Sequence, residues 1–276
     1  MRLTSVNMGG MARRRDVGFW LGLGGLGGVY ILLIVAMLAA DGLYLLRRPP
    51  APPGSPADSL AASLWSPEIR FAVQLSLFTS LLSAALSVLV GIPLGYLLSR
   101  SRFLGRGLID ALVEIPIILP PLVVGISLLI LFQMPGLKEL DVTYSVASVV
   151  IAQFAVAAAF AVRTMKVTFD QMSPRTEDVA QTLGCTRTDA FLRITLPEAR
   201  RGILTAATLA WARSIGEFGP VLVFAGATRM KTEVLATTVF LELSVGRLEA
   251  AVAVSFFMIL MAVAVLFVVR RYGVRA

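Results

Sequence analysis

Residues Asp178–Pro197 read DVAQTLGCTRTDAFLRITLP. The stretch is polar and charged, yet segments apolar enough to live in lipid flank it on both sides. Its pattern predicts a short helix over Glu177–Leu183, a stop at Gly184, and a second short helix near Thr188–Ile194. Leu196-Pro197 then predicts a break. Glycine closes helices because it takes the left-handed conformation without a Cβ penalty. Proline has no N–H to donate and suits the first turn of the helix that follows. Val179, Ala180 and Leu183 share one face of the first helix, with Asp178 and Gln181 off it, the arrangement of a helix that packs one side. A membrane protein that carries such a knob presents a handle to a soluble partner.

Working outward, the whole chain is built for lipid. It has 276 residues, 57% hydrophobic and 15% charged, with a mean hydropathy of +0.82. Soluble domains carry about a quarter charged residues, so this is a membrane composition. One cysteine, Cys185, excludes an internal disulfide framework. Histidine is absent, which removes the commonest general base and metal ligand.

Six apolar segments are predicted to span the bilayer: Phe19–Leu46, Phe71–Leu98, Leu108–Phe132, Val146–Val162, Ile203–Ala225 and Ala250–Val269. A spanning helix needs about 20 residues, and the fourth segment is near the lower limit. The net charge of +8 finds its explanation in topology. With the N-terminus inside, 17 of the 25 lysines and arginines are cytoplasmic and 7 external, with Arg213 inside a span. Both termini are therefore expected in the cytoplasm of a multi-pass cell-membrane protein. The basic excess sets orientation and is not a nucleic-acid footprint.

Residues 1–18 form a basic lead, and residues 19–276 the six-helix domain. Arg13-Arg14-Arg15 could open a signal peptide, but the apolar run behind them is too long, and an uncleaved first helix is expected. Gly22, Gly24 and Gly27 formally satisfy G-x-G-x-x-G, but no strand precedes them; Gly24 and Gly28 instead suit close helix approach. Residues 47–68 form a proline-rich external linker, extended by composition, with Trp65 as an interfacial anchor.

Polar and broken positions within the spans carry the remaining signal. Pro93 predicts a kinked or loosened second span. Pro120-Pro121 frees backbone carbonyls that lipid cannot satisfy, so that break should face protein or a water-filled path; a merely kinked packing helix is an equal reading. Arg213 and Glu217, four apart, can pair on one helix face. Ionisable groups at membrane depth often mark a pathway; a structural ion pair, or a position shallow enough to reach cytoplasmic water, is an equal reading. Ser173-Pro174 is a plausible helix start leading into the 173–197 loop.

The spacing Gly184, nine residues, Ile194, one residue, Leu196-Pro197 resembles the EAA signature loop of ABC importer permeases. That pattern is Glu-Ala-Ala, three residues, Gly, nine residues, Ile-x-Leu-Pro; here the opening triplet is Asp178-Val179-Ala180. Two further stretches, IPIILPPLVVGISLLILF (115–132) and GEFGPVLVFAGATRMKTEVLATTVFLEL (216–243), resemble the branch that carries molybdate, tungstate and sulfate. Ala236 stands where that branch usually has proline.

The resemblance implies an all-α integral membrane fold, six transmembrane helices with a cytoplasmic coupling-helix loop, of the type I ABC importer permease kind. It implies a homodimer, a cytoplasmic ABC ATPase dimer that holds the ATP and magnesium, and an extracytoplasmic solute-binding protein. No cofactor is expected on this chain. Asp178, Val179, Ala180, Leu183, Gly184, Ile194, Leu196 and Pro197 would couple to the ATPase, and the outer loops, including Thr228–Arg247, would receive the binding protein. Pro120, Pro121, Arg213 and Glu217 are the candidates for pathway or gate. The expected cargo is molybdate or tungstate ahead of sulfate, with phosphate, iron or polyamine as alternatives.

Catalysis has little to rest on. No G-x-x-x-x-G-K-[ST] phosphate loop is present. Glu177-Asp178 reads as a solvated or capping pair, and Cys185 as an inert thiol. An integral membrane enzyme or receptor is the alternative from another class; an enzyme should cluster polar groups within its spans, and only Arg213/Glu217 and Glu114 approach that.

Overall fold

The computed structural model describes residues 8–47 and 66–273. Trp65 and most of the proline-rich linker lie outside the described residues, as do residues 1–7 of the basic lead and residues 274–276. Every regular element among the described residues is helical. Two units are distinguished, Met1–Pro50 and Ala51–Ala276.

The first unit is one helix, α1 (Met8–Leu46). Its span Phe19–Leu45 has a mean hydropathy of 2.3. Nothing within this unit approaches Gly24 or Gly28 closely.

In the second unit, α2 (Pro67–Arg100) and α5 (Val146–Gln171) form the central pair. Ser66 caps α2 by accepting from the Ile69 N–H, and Pro67 occupies the first turn. α2 runs on through Pro93 as one helix. Its buried edge is a run of small and hydroxylated residues: Ala72, Ser76, Ser80, Ser83, Ser87, Gly91 and Gly95. Small residues let helix backbones meet without gaps in lipid. A Cβ on Gly95 would lie 2.7 Å from that of Met165, and one on Gly91 3.0 Å from that of Ala161. Ser83 adds an interhelical bond, its hydroxyl donating to the Val150 carbonyl at 3.0 Å. Hydropathy predicted α5 to stop at Val162. It continues to Gln171 because Arg163 and Lys166 point to carboxylates of a neighbouring helix and so extend it beyond the apolar run.

The third predicted span is two helices, α3 (Arg106–Ile118) and α4 (Pro121–Leu131), bent by 113° at Leu119-Pro120. α3 is strapped to α5 by two ion pairs, Glu114 with Arg163 and Asp110 with Lys166. After the 173–197 loop, α9 (Arg200–Ile215) carries the fifth segment as far as Gly216. The chain breaks there, and a wide π-type turn at Val221–Ala225 completes it. α10 (Leu235–Ser244) and α11 (Leu248–Gly273) follow. Among the described residues, four helices are long and apolar enough to cross a bilayer singly, and the bent α3–α4 pair passes the same test together.

Candidate functional site

The knob departs from its sequence reading in instructive ways. Its first helix, α6 (Arg175–Thr182), has Pro174 as its capping residue, so the start lies one position later than Ser173-Pro174 suggested. Gly184 ends the helix as expected, at φ +92°. The Cys185 N–H donates to the Ala180 carbonyl at 3.1 Å and the Gly184 N–H to the Gln181 carbonyl at 3.0 Å. This is the double-bonded left-handed helix ending that glycine favours.

The face expected to pack is split. Ala180 is buried at 5% exposure, but Val179 and Leu183 stand out at 57% and 80%. The inward side of this two-turn helix is held instead by Glu177, 8% exposed, one turn from Ala180. Glu177 is therefore not the solvated or capping residue its charged setting suggested. The Tyr96 hydroxyl donates to it at 2.6 Å, and Arg100 Nε lies 3.5 Å from its other oxygen. Val179 and Leu183 share the opposite face, as residues four apart do.

The second short helix, α7 (Arg187–Ala190), is capped by Thr186, whose hydroxyl accepts from the Asp189 N–H at 3.1 Å. The same hydroxyl donates to the Asp189 carboxylate and, helped by nearby Arg193, holds that carboxyl below its usual range. The helix expected over Thr188–Ile194 gives way to a π-type turn at Phe191–Thr195. The predicted Leu196-Pro197 break does not occur: α8 (Leu196–Glu198) follows directly and hands on to α9. The Leu196 N–H reaches back five residues to the Phe191 carbonyl. Proline inside a helix removes one bond and crowds the carbonyl four residues earlier. The widened turn just before Pro197 makes room for both, so the helical run survives. Leu192 and Pro197 lie exposed on it, with Ile194 and Leu196 half-buried.

The pathway candidates come together elsewhere. Gly219 packs on the α3–α4 break, since a Cβ there would meet Pro121 Cβ at 2.9 Å and the Leu122 nitrogen at 3.0 Å. Gly125 packs as tightly on Pro220, whose Cα would lie 2.8 Å from a Cβ added there. The break of the third segment therefore sits against the break of the fifth, through Pro121, Leu122 and Gly125 on one side and Gly219 and Pro220 on the other. Arg213 and Glu217 form the expected ion pair, but across the end of α9, because Glu217 lies in the break. Glu217 is 1% exposed. Trp211 Nε1 and Ser214 Oγ, on the same turn, are buried without a partner among the described residues. The knob supplies none of these groups.

A third polar cluster was missed by sequence reasoning. Glu242 accepts from Arg229 at 2.7 Å and lies 3.0 Å from Arg247 Nε, tying both ends of the 228–247 segment together. Glu233 beside it has no exposed surface, and burial pushes its carboxyl above the usual range. The only sequence signal was two glutamates among Arg229, Lys231 and Arg247 in one loop-and-helix segment.

Comparison with known proteins agrees with this architecture. Residues 87–275 match the family described as binding-protein-dependent transport system inner membrane components. A probable molybdenum ABC transporter permease of Haloferax volcanii is 39% identical over 198 residues, 71% of each chain. The sulfate transport system permease CysT of Escherichia coli is 32% identical over 197 residues, 69% of this chain and 71% of that one. The molybdenum permease ModB of Mycobacterium tuberculosis is 34% identical over 208 residues, covering 73% and 78%. Among solved structures, a chain of a bacterial alginate ABC transporter, in complex with its alginate-bound periplasmic protein, superposes with a TM-score of 0.71. It covers 95% of this chain and 96% of its own at 18% identity, a likeness of fold.

Proposed function

The chain belongs to the family of binding-protein-dependent transport system inner membrane components, and from that premise we propose that it is the permease subunit of an ATP-driven importer of a tetrahedral oxyanion, molybdate or tungstate ahead of sulfate. Two copies would enclose the path. An external binding protein would deliver the anion, and a cytoplasmic ATPase dimer would drive the cycle. The observation that carries this reading is the knob: a short helix anchored from within by Glu177 and Ala180 that offers Val179 and Leu183 outward. An apolar pair on a polar loop invites a protein partner. Arg193, Asp189 and Asp178 frame it with charges that can set register.

Transport then follows from ordinary linkage. ATP binding closes the motor and favours the outward-open state through differential contacts with the knob; hydrolysis and release return the inward state. The anion passes where the two broken segments meet, with Arg213 as the cation in a span and Glu217 as its counter-charge in the resting pair. The relatives' names favour molybdenum over sulfate only by a margin of identity, so sulfate is the second reading. The test is uptake of radiolabelled molybdate into proteoliposomes holding the assembled complex and ATP, with unlabelled tungstate, sulfate and phosphate as competitors. Tungstate should compete strongly and sulfate weakly. Equal competition by sulfate would move the assignment to sulfate, and no ATP-dependent uptake of any of these anions would sink the oxyanion reading.

A further inference from the structure

The knob is fastened to the membrane domain at one polar node, and the node is built on the end of α2. Tyr96, Ser99 and Arg100, within the last turns of α2, each reach the α5–α6 elbow. The Ser99 hydroxyl donates to Asp170 at 2.6 Å, Arg100 Nη2 donates to the Met172 carbonyl at 2.9 Å, and the Tyr96 hydroxyl donates to Glu177 at 2.6 Å. The tyrosine ring is wedged as well, 5.4 Å from the centre of Phe169 on α5 and 4.6 Å from that of Phe191 on the π-type turn within the knob. A single side chain thus touches α5 before the knob, the first helix α6, and the π-type turn in the knob's second half. Phe169 is fully buried and Tyr96 half-buried.

Glu177 is the contact that joins α6 itself to this node. A buried carboxylate is costly unless it is paired and hydrogen-bonded. The Tyr96 hydroxyl supplies the hydrogen bond; Arg100 supplies charge, with its Nε at 3.5 Å and without a hydrogen bond of its own to Glu177. On the α2 side there is no slack to absorb a push. Gly95 presses on Met165 and the Lys166 backbone, closer than any Cβ would allow, so α2 and α5 move together.

We propose that Tyr96, with Arg100, is the positioning residue through which the knob passes its displacement to α2, by holding Glu177. This rests on the docking role given to the knob above. α2 thereby receives the motion beside α9, to which the helical run through Pro197 joins the knob directly. Loss of the Tyr96 hydroxyl should leave the knob folded, because Gly184, Thr186 and Ala180 still fix its shape, and should leave it able to hold the ATPase. What it should lose is the ratio of anion moved to ATP spent.

The experiment compares wild type with Tyr96→Phe, Glu177→Ala and Glu177→Gln in the assembled complex in proteoliposomes. Three quantities are read: ATPase retained on purification, ATP hydrolysed, and radiolabelled molybdate taken up. Tyr96→Phe and Glu177→Ala should keep the ATPase and hydrolyse ATP but take up about tenfold less anion per ATP, the scale of one buried hydrogen bond to a charged group. Glu177→Gln still accepts from the tyrosine hydroxyl and should recover most of the ratio. A merely structural role would lower retention, hydrolysis and uptake together and leave the ratio unchanged, and that result overturns the proposal. Wild-type ratios in all three variants also overturn it, with the docking role intact. A wild-type chain that captures no ATPase overturns the docking role and this proposal with it.

Discussion

Single residues set the limits of what this chain tolerates. Gly184 combines a φ of +92° with an N–H that donates to Gln181. Proline can supply neither, since its ring fixes φ near −65° and removes the donor. Gly184→Pro should therefore abolish uptake while the protein still inserts into the membrane, measured as transport against the amount of protein in washed membranes. Glu233 makes a different kind of prediction. Burial raises its carboxyl, and Arg229 and the Thr238 hydroxyl oppose that shift less strongly, with Glu242 and Glu68 adding to it. A raised folded-state value means the group stabilises the fold in acid, and that stabilisation is lost as pH rises through the folded value. Glu233→Gln should be the more thermostable protein near pH 8 and should lose that advantage near pH 4, roughly the ordinary glutamate range. A melting-midpoint series across this range checks the sign.

At the scale of elements, what could be read in advance was whatever local chemistry decides. Gly184 was legible because only glycine is comfortable in its conformation, and Pro120-Pro121 because paired prolines cannot stay in one straight helix. The burial of Glu177 was not, since its partner Tyr96 lies 81 residues upstream and nothing in the local pattern announces it. The unbroken run through Leu196-Pro197 was not legible either, because a π-type turn is a repair of the hydrogen-bond ladder and not a composition. Hydropathy placed most of the apolar segments but missed where α5 ends, because ion pairs and not lipid hold its last turns. The Arg213–Glu217 spacing predicted the pair correctly and its setting incompletely: the pair bridges a helix end to a break. Leaving either charge alone at that depth costs more than removing both. Arg213→Gln and Glu217→Gln should each reduce uptake more than the double variant does, and strictly additive losses would argue that the two do not act as a pair.

For the whole molecule, the orientation we propose, with the 173–197 loop in the cytoplasm, rests on the bias of lysine and arginine along the chain. A cysteine-reactive, membrane-impermeant label should reach Cys185, which is exposed, in inside-out vesicles and not in intact cells. Labelling from the cell exterior would place the knob where no motor can reach it. The hydrogen-bonded run that begins at Arg187 and ends at Ile215 has one further consequence. At 1.5 Å per residue its contour is roughly 40 Å, so a swing of about 10° at the cytoplasmic end carries the far end some 7 Å or so. That displacement is delivered at Gly216, where the helical run gives way to the break that holds Glu217.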